Sequence, residues 1–328
     1  MRARVVGPFV AMVALVVASS GVPSGAERSN PADDLLDRAG EAIRRHEFQA
    51  TVRVWWRDAS GPHSVDVSVT AVDGGLRLAD GRLVAAAGRA WMRGSDQQWT
   101  TLWADTRDPR SPSVGAKYSV RTSSGPTIVG RRTRVLVIRK GRTIVERLAF
   151  DRSVGLVLLR ERFDRDGSLS SRVEFVELSK VRDRHGELAV PKVGVPTSER
   201  MQTAKADAPQ VLGDGFVLVQ ARRMSQGQTQ YRYSDGIFEL SVFSQPGEID
   251  WSALPEGGSP RRYGSVHTRR YRTAAGTVIV WQSQKRTLTC VTDAPTSDEF
   301  GIVQDLSRDN DSSWTGVVRF VTAPFSWN

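Results

Sequence analysis

The sequence predicts an α+β protein of two domains, each built on an antiparallel sheet. Three observations point there. Four strand-like runs, over 132–139, 143–150, 156–163 and 169–178, follow one another with only turn residues between them. An amphipathic segment at helical spacing precedes the strands. A second β-rich region, with its own Asp235-Gly236 hairpin signal, follows a stretch rich in Arg, Lys, Pro, Ser and Gly. The 328 residues suffice for two domains that each bury a core. A hydrophobic content of 39% with 25% charged residues is that of a globular chain.

The four runs are joined by Lys140-Gly141, by 151–155 and by 164–167, where Gly supplies the positive φ and Asp the side-chain cap of tight turns. Ile144, Glu146, Leu148 and Phe150 share one face, and Val145, Arg147 and Ala149 the other. This predicts a meander with one face buried and one available.

Taken in order, the chain opens with Arg2 and Arg4, an apolar run over 5–17, and the small residues Ser24-Gly25-Ala26. Charged, apolar and small residues in that order read as a signal peptide over 1–26, cleaved before Glu27. The alternative is an uncleaved anchor, against which Pro8, Gly21 and Pro23 weigh. Asn30 and Pro31 then start a helix, with Asp33 and Asp34 in its first turn. Leu35, Leu36, Ala39, Ala42 and Ile43 form its apolar stripe, which needs a sheet to cover. Phe48, Ala50, Val52, Val54 and Trp56 alternate with Gln49, Thr51, Arg53 and Trp55, and Val65, Val67, Val69 and Ala71 alternate after the Gly61-Pro62 turn. Asp73-Gly74-Gly75 turns into 76–78, and 107–115 reads as a loop. Repeated short strands mean a sandwich or barrel. Trp91, Trp99 and Trp103 either line a ligand cavity within it or fill its core.

The stretch 181–208, with Pro191 and Pro196, has no sustained apolar period and marks a boundary. Beyond it, 229–233 and 237–243 flank Ser234-Asp235-Gly236, which predicts a hairpin with Asp235 exposed and Gly236 at positive φ, a structural turn. Strands over 278–281 and 287–292 and a helix over 297–306, capped by Ser297, complete the smaller domain. Trp314, Phe320 and Phe325 are expected to pack back on its sheet.

Several of these residues carry a resemblance. Val129-Gly130-Arg131, then Leu148-Ala149-Phe150-Asp151-Arg152 and Gly155-Leu156-Val157-Leu158, then Phe163 and Gly167 before Val173-Glu174-Phe175, are similar to the N-terminal domain of the RseB/MucB family. Tyr233-Ser234-Asp235-Gly236 with Ser241-Val242-Phe243 resembles that family's small C-terminal domain. The resemblance implies an open antiparallel β-barrel with helical cover, like the lipoprotein carriers LolA and LolB, over 30–182. A linker over 183–208 and a smaller α+β domain over 209–328 follow. It also implies a periplasmic negative regulator that engages the extracytoplasmic segment of a membrane anti-sigma factor. The strand 144–150 lacks the Tyr and Trp common in Gammaproteobacterial members, so their lipopolysaccharide signal is not carried over. The runner-up function is a lipid or lipoprotein carrier that uses the barrel as its cavity.

Composition bears on the partner. The net charge is +10, and only six of the 46 basic residues are Lys. Export makes nucleic acid an unsuitable partner and leaves an acidic protein or a membrane surface. Arg261, Arg262, Tyr263, Arg269, Arg270, Tyr271 and Arg272 form the densest basic-aromatic cluster and are the candidate partner-binding face, since Arg and Tyr are common interface anchors. The sequence holds no nucleophile elbow, phosphate-binding Gly loop or His-Glu-x-x-His, and His46, His63, His185 and His267 are scattered. No enzyme activity, metal or cofactor is expected. Cys290, the single cysteine, reads as a small buried hydrophobe in a strand.

Overall fold

A computed structural model describes residues 35–36, 38–39, 41–42, 45–58, 60–72, 75–78, 83–86, 89–93, 99–104, 117–183, 208–223, 227–273, 276–296 and 298–308; over 72–116 it describes the backbone alone. The expected signal peptide, the Asn30 and Ser297 caps, the 107–115 loop, the linker proper and Trp314, Phe320 and Phe325 lie outside the described residues. The chain divides into two compact units, with the main break between Thr197 and Ser198.

The first unit contains one sheet. Its strands are β1 (His46–Asp58), β2 (Gly61–Val72), β3 (Gly75–Leu78), β4 (Leu83–Ala86), β5 (Arg89–Arg93), β6 (Trp99–Ala104), β7 (Ser119–Ile128), β8 (Arg131–Lys140), β9 (Thr143–Asp151), β10 (Val157–Phe163), β11 (Leu169–Leu178) and β12 (Arg182–Asp183). They lie in the order β6-β5-β4-β3-β2-β1-β11-β10-β9-β8-β7, with β12 beside β1. The sheet is open: β6 and β7 are its two ends among the described residues. The predicted meander forms β8 to β11. The turn that leads into it from β7, Val129-Gly130, is a two-residue hairpin loop between Ile128 and Arg131 with φ of 43° and 76°. Two positive φ angles define the turn whose twist matches the strands, and a β-branched residue is strained there. Val129→Asn is therefore expected to raise stability by about 1 kcal/mol, measured as a higher urea midpoint.

Burial in β1 alternates as its sequence demands: Phe48, Ala50, Val52, Val54 and Trp56 are buried, while Gln49, Arg53 and Arg57 are exposed. The expectation of one available face fails in the middle of the meander. In β9, Val145 and Ala149 are as buried as Glu146, Leu148 and Phe150, and 158–162 of β10 is buried throughout. These central strands have neighbours on both sides, and the charges on each face pair with one another across strands. Arg162 stands opposite Glu146, with Arg160 on the same face; Glu161 stands opposite Arg147 and Arg172 on the other. Buried polar groups are tolerated when they are matched in this way.

The second unit is an eight-stranded sheet and a helix. Its strands are β13 (Val211–Leu212), β14 (Phe216–Arg223), β15 (Thr229–Ser234), β16 (Glu239–Pro246), β17 (Ser259–Tyr263), β18 (Val266–Thr273), β19 (Gly276–Ser283) and β20 (Arg286–Thr292), and the helix is α1 (Glu299–Arg308). The order β13-β14-β15-β16-β20-β19-β18-β17 shows that the chain leaves β16 for the far edge and then returns. Helix α1 touches both edges. At one, the Gly213 N–H donates to Asp305 Oδ2 at 2.6 Å, and a Cβ at Gly213 would meet Gly301 Cα at 3.0 Å, so backbone packs on backbone. At the other, Gln304 Nε2 donates to the Tyr263 carbonyl at 2.5 Å. A sheet whose two edges meet one helix must be strongly curled. Ile302, Val303 and Leu306 fill its interior with Trp281, Ile279, Leu240, Val242 and Phe216. Cys290 is fully buried in this core, and burial, followed by the charge of Glu299, pushes its thiol pKa up.

The Asp235-Gly236 hairpin forms with a different loop from the one expected. Ser234 pairs with Glu239, so the loop has four residues, 235–238, and takes in Ile237 and Phe238, the expected start of a strand. Asp235 is fully buried, not exposed. Its Oδ1 accepts the N–H groups of Ile237 (3.1 Å) and Phe238 (2.8 Å), while Gly236 has φ of 94°. Phe238 is buried as well. The pull of that apolar side chain into the core turns the backbone in one residue earlier than a regular strand would, and Asp235 follows it.

Candidate functional site

The basic-aromatic cluster of the second unit is one sequence stretch but not one surface. Alternation along β17 and β18 sends its members to opposite faces of the sheet. Arg261 pairs with Thr268 and Arg262 with His267, which sets Arg261, Tyr263, Arg270 and Arg272 on the side of α1 and Arg262, His267, Arg269 and Tyr271 on the other. Arg270 is 7% exposed, against the expectation of an open cation. Its Nη2 and Nε donate to the two oxygens of Glu299 at 2.6 and 2.8 Å. The fork of a guanidinium matches a carboxylate in this geometry. The Tyr263 hydroxyl donates to Glu299 Oε2 at 2.7 Å, and burial, then the Glu299 charge, push its pKa up. Arg272 Nη2 donates to Thr296 Oγ1 at 3.0 Å. Two of the seven candidates, Tyr263 and Arg270, thus fasten α1 to the sheet, and Arg272 holds the segment just before it. On the other face, Tyr271 donates to the Pro255 carbonyl at 3.1 Å, and Arg262 and His267 are exposed. At the β17 edge Pro260 lacks an N–H, which blunts strand addition there. Phe300, 54% exposed, lies beside Tyr263 with ring centroids 6.3 Å apart.

Asp235 and Gly236 serve the hairpin described above. Trp91 on β5 and Trp99 and Trp103 on β6 face Thr101, Arg93 and Ala90 in the backbone pairing; their side chains lie outside the described residues.

In the first unit, residues far apart in sequence meet at one corner. The Arg131 guanidinium donates to Asp151 Oδ2 at 2.6 Å. The other oxygen, Oδ1, accepts Ser153 N–H (2.7 Å), Ser153 hydroxyl (2.6 Å) and Val154 N–H (3.3 Å). Gly155, at φ of 82°, closes the turn with its N–H on the Asp151 carbonyl at 2.9 Å. Burial alone would raise the Asp151 pKa. Hydrogen bonds from Ser153 and Arg131 and from the backbone outweigh it, so the carboxyl lies below its ordinary 3.8. A depressed pKa adds stability that is complete above the unfolded value and is lost as the pH falls through the folded one. Wild-type protein should therefore lose urea stability as the pH falls below about 4, and Asp151→Ala should show a smaller loss over that range while starting about 2 kcal/mol lower at neutral pH.

Beneath this corner is a cleft of about 730 Å³. One wall is made by the described helical residues Leu35, Arg38, Glu41, Ala42 and Arg45, the other by Arg134, Phe150 and the 151–155 turn, with His46 and Asp183 at its end. Gly155 fixes the width, because a Cβ there would sit 3.4 Å from the Arg38 carbonyl. The acids in the wall are engaged: Glu41 by Arg45 at 2.7 Å, Asp183 by His46 at 3.0 Å and Asp151 by Arg131. Between β9 and β10, Glu146 (side chain 2% exposed) is contacted by Arg160 and, at 3.4 Å, by Arg162, both nearly buried.

No family model matches this chain, and no curated protein does. Solved structures similar to it include MucB. The MucA/MucB complex of Pseudomonas aeruginosa is 21% identical over 83% of this chain and 97% of that one, with a TM-score of 0.48. MucB alone is 22% identical over 85% and 98%, with a TM-score of 0.49. A LolA superfamily protein from Nitrosomonas europaea is 12% identical over 48% and 96%, with a TM-score of 0.22.

Among the described residues no cluster of three His, Cys, Asp or Glu side chains could hold a metal ion, and no helix is long and apolar enough to cross a membrane. Sequence reasoning missed the cleft because its walls come from positions about a hundred residues apart. It also missed the burial of Arg270. Its one available signal was Glu299, an acid at the start of an apolar helix, which reads equally well as a helix-dipole residue.

Proposed function

We propose that this protein is an exported binding protein, not an enzyme. It engages the extracytoplasmic part of a membrane anti-sigma factor and so restrains an envelope-stress sigma-factor response. In this reading 1–26 is a signal peptide removed on export and 30–182 is a LolA-like domain whose sheet curls as an open barrel under a helical cover. The segment 183–208 is then a linker, and 209–328 is the small partner domain.

The observation that carries the reading is the sequence resemblance, because its residues work together. Arg131, Asp151 and Gly155, quoted from separate motifs, form one hydrogen-bonded corner. Chance matches scattered along a chain have no reason to converge. The excess of Arg supports an acidic partner. The buried Arg160–Glu146–Arg162 group weighs against a wholly apolar carrier interior.

The test titrates the purified mature protein with the purified extracytoplasmic segment of the anti-sigma factor encoded beside its gene, at low and high salt. Binding at micromolar concentration or tighter is expected, with the association rate falling most as salt rises. No binding, together with tightly held lipid in native mass spectra, would replace this reading with the carrier.

A further inference from the structure

We infer that the cleft between the helical residues Leu35, Arg38, Glu41, Ala42 and Arg45 and the 151–155 turn is a binding site for an acidic peptide segment, held by Arg38, Arg134 and Arg152. The inference rests on the partner class proposed above and places its contact in the first unit instead of the second.

Four observations lead there. Arg38, Arg134 and Arg152 come from three separate elements, the helical residues, β8 and the turn, yet line one cleft. All three are exposed, and none makes an ion pair among the described residues. Of the carboxylates that line the cleft, Glu41 and Asp151 are already paired with Arg45 and Arg131, so these two do not neutralise the three cations. Leu35, Ala42, Phe150 and Val154 add apolar surface to the same lining. The cleft's volume of about 730 Å³ lies within the usual range for a site that buries a few side chains.

Charge that a fold leaves uncompensated beside apolar side chains is complementary to an anion that carries apolar groups. Guanidinium forks pair in two-pronged fashion with carboxylates. Three forks from three chain elements, spread over the two walls, suit several carboxylates spaced along an extended chain better than the single headgroup of one lipid. The 151–155 turn is held in place, since Asp151 is tied to Arg131 and the Arg152 N–H donates to the Arg132 carbonyl at 3.0 Å.

The experiment uses the full mature chain and, as probe, the same anti-sigma segment. Its variants are Arg38→Glu/Arg134→Glu/Arg152→Glu and the Lys counterpart of that triple. A charge-matched control is Arg121→Glu/Arg165→Glu/Arg223→Glu, at exposed positions outside the cleft. Thermal melts check that each variant folds. The cleft triple should weaken binding about tenfold or more at low salt and flatten the salt dependence. The Lys triple should retain most of the salt dependence with part of the affinity, and the control should stay near wild type. An unchanged affinity in the cleft triple, or a loss that appears instead in Arg262→Glu/Arg269→Glu, overturns the inference while the functional reading stands. Failure of wild type to bind overturns both. Vesicles of phosphatidylglycerol form a further arm: if wild type binds them and the cleft triple does not, while peptide affinity is unchanged, the site takes a lipid and the inference is wrong.

Discussion

Replacing Arg270 by Ala is expected to destabilise the second unit by about 3–5 kcal/mol, the cost of removing one partner from a buried ion pair. Glu299 is fully buried, and its two oxygens accept from Arg270 and from Tyr263. Without Arg270 the carboxylate keeps a single phenol donor, and the α1 edge of the curled sheet loses its strongest tie. Urea unfolding followed by tryptophan fluorescence, compared with wild type, reads the effect. Arg270→Met combined with Glu299→Leu should recover most of the loss, because removing both charges leaves neither stranded. A single-variant loss below about 1 kcal/mol would mean that the pair behaves as an exposed one. The result matters for binding studies too. An Arg269, Arg270 and Arg272 triple would lose affinity through unfolding, so it cannot locate a partner.

Glu146→Ala should have a comparable effect on the first unit, about 3–5 kcal/mol. The carboxylate lies between the guanidiniums of Arg160 and Arg162, which stay buried beside Leu148 and Val173 when it is gone. Two like charges then face each other in a medium that screens them poorly. The exposed pair Arg53–Asp66, joined at 2.8 Å on the same sheet, provides the comparison. Asp66→Ala should cost far less than Glu146→Ala, since water replaces the lost partner. Equal effects at the two sites would contradict the burial that separates them.

The sequence by itself determined whatever depends on neighbours close along the chain. Strand period in β1, the meander of β8 to β11, the positive φ of Gly236 and the burial of Cys290 all follow from local alternation and turn chemistry. Those signals act over two to ten residues, so one chain is enough to read them. Tertiary structure alone decided which charges face water. Arg270 is indistinguishable from Arg269 in sequence, yet the curl of the sheet brings Glu299, 29 residues later, against one of them and not the other. The same holds for Glu146, whose partners lie 14 and 16 positions away across a hairpin, and for Arg38 and Arg152, which share a cleft only after the strands between them have paired. A charge is solvated or buried according to what folds over it, and that is a property of long-range pairing, which leaves no mark on the residue's own surroundings in the chain.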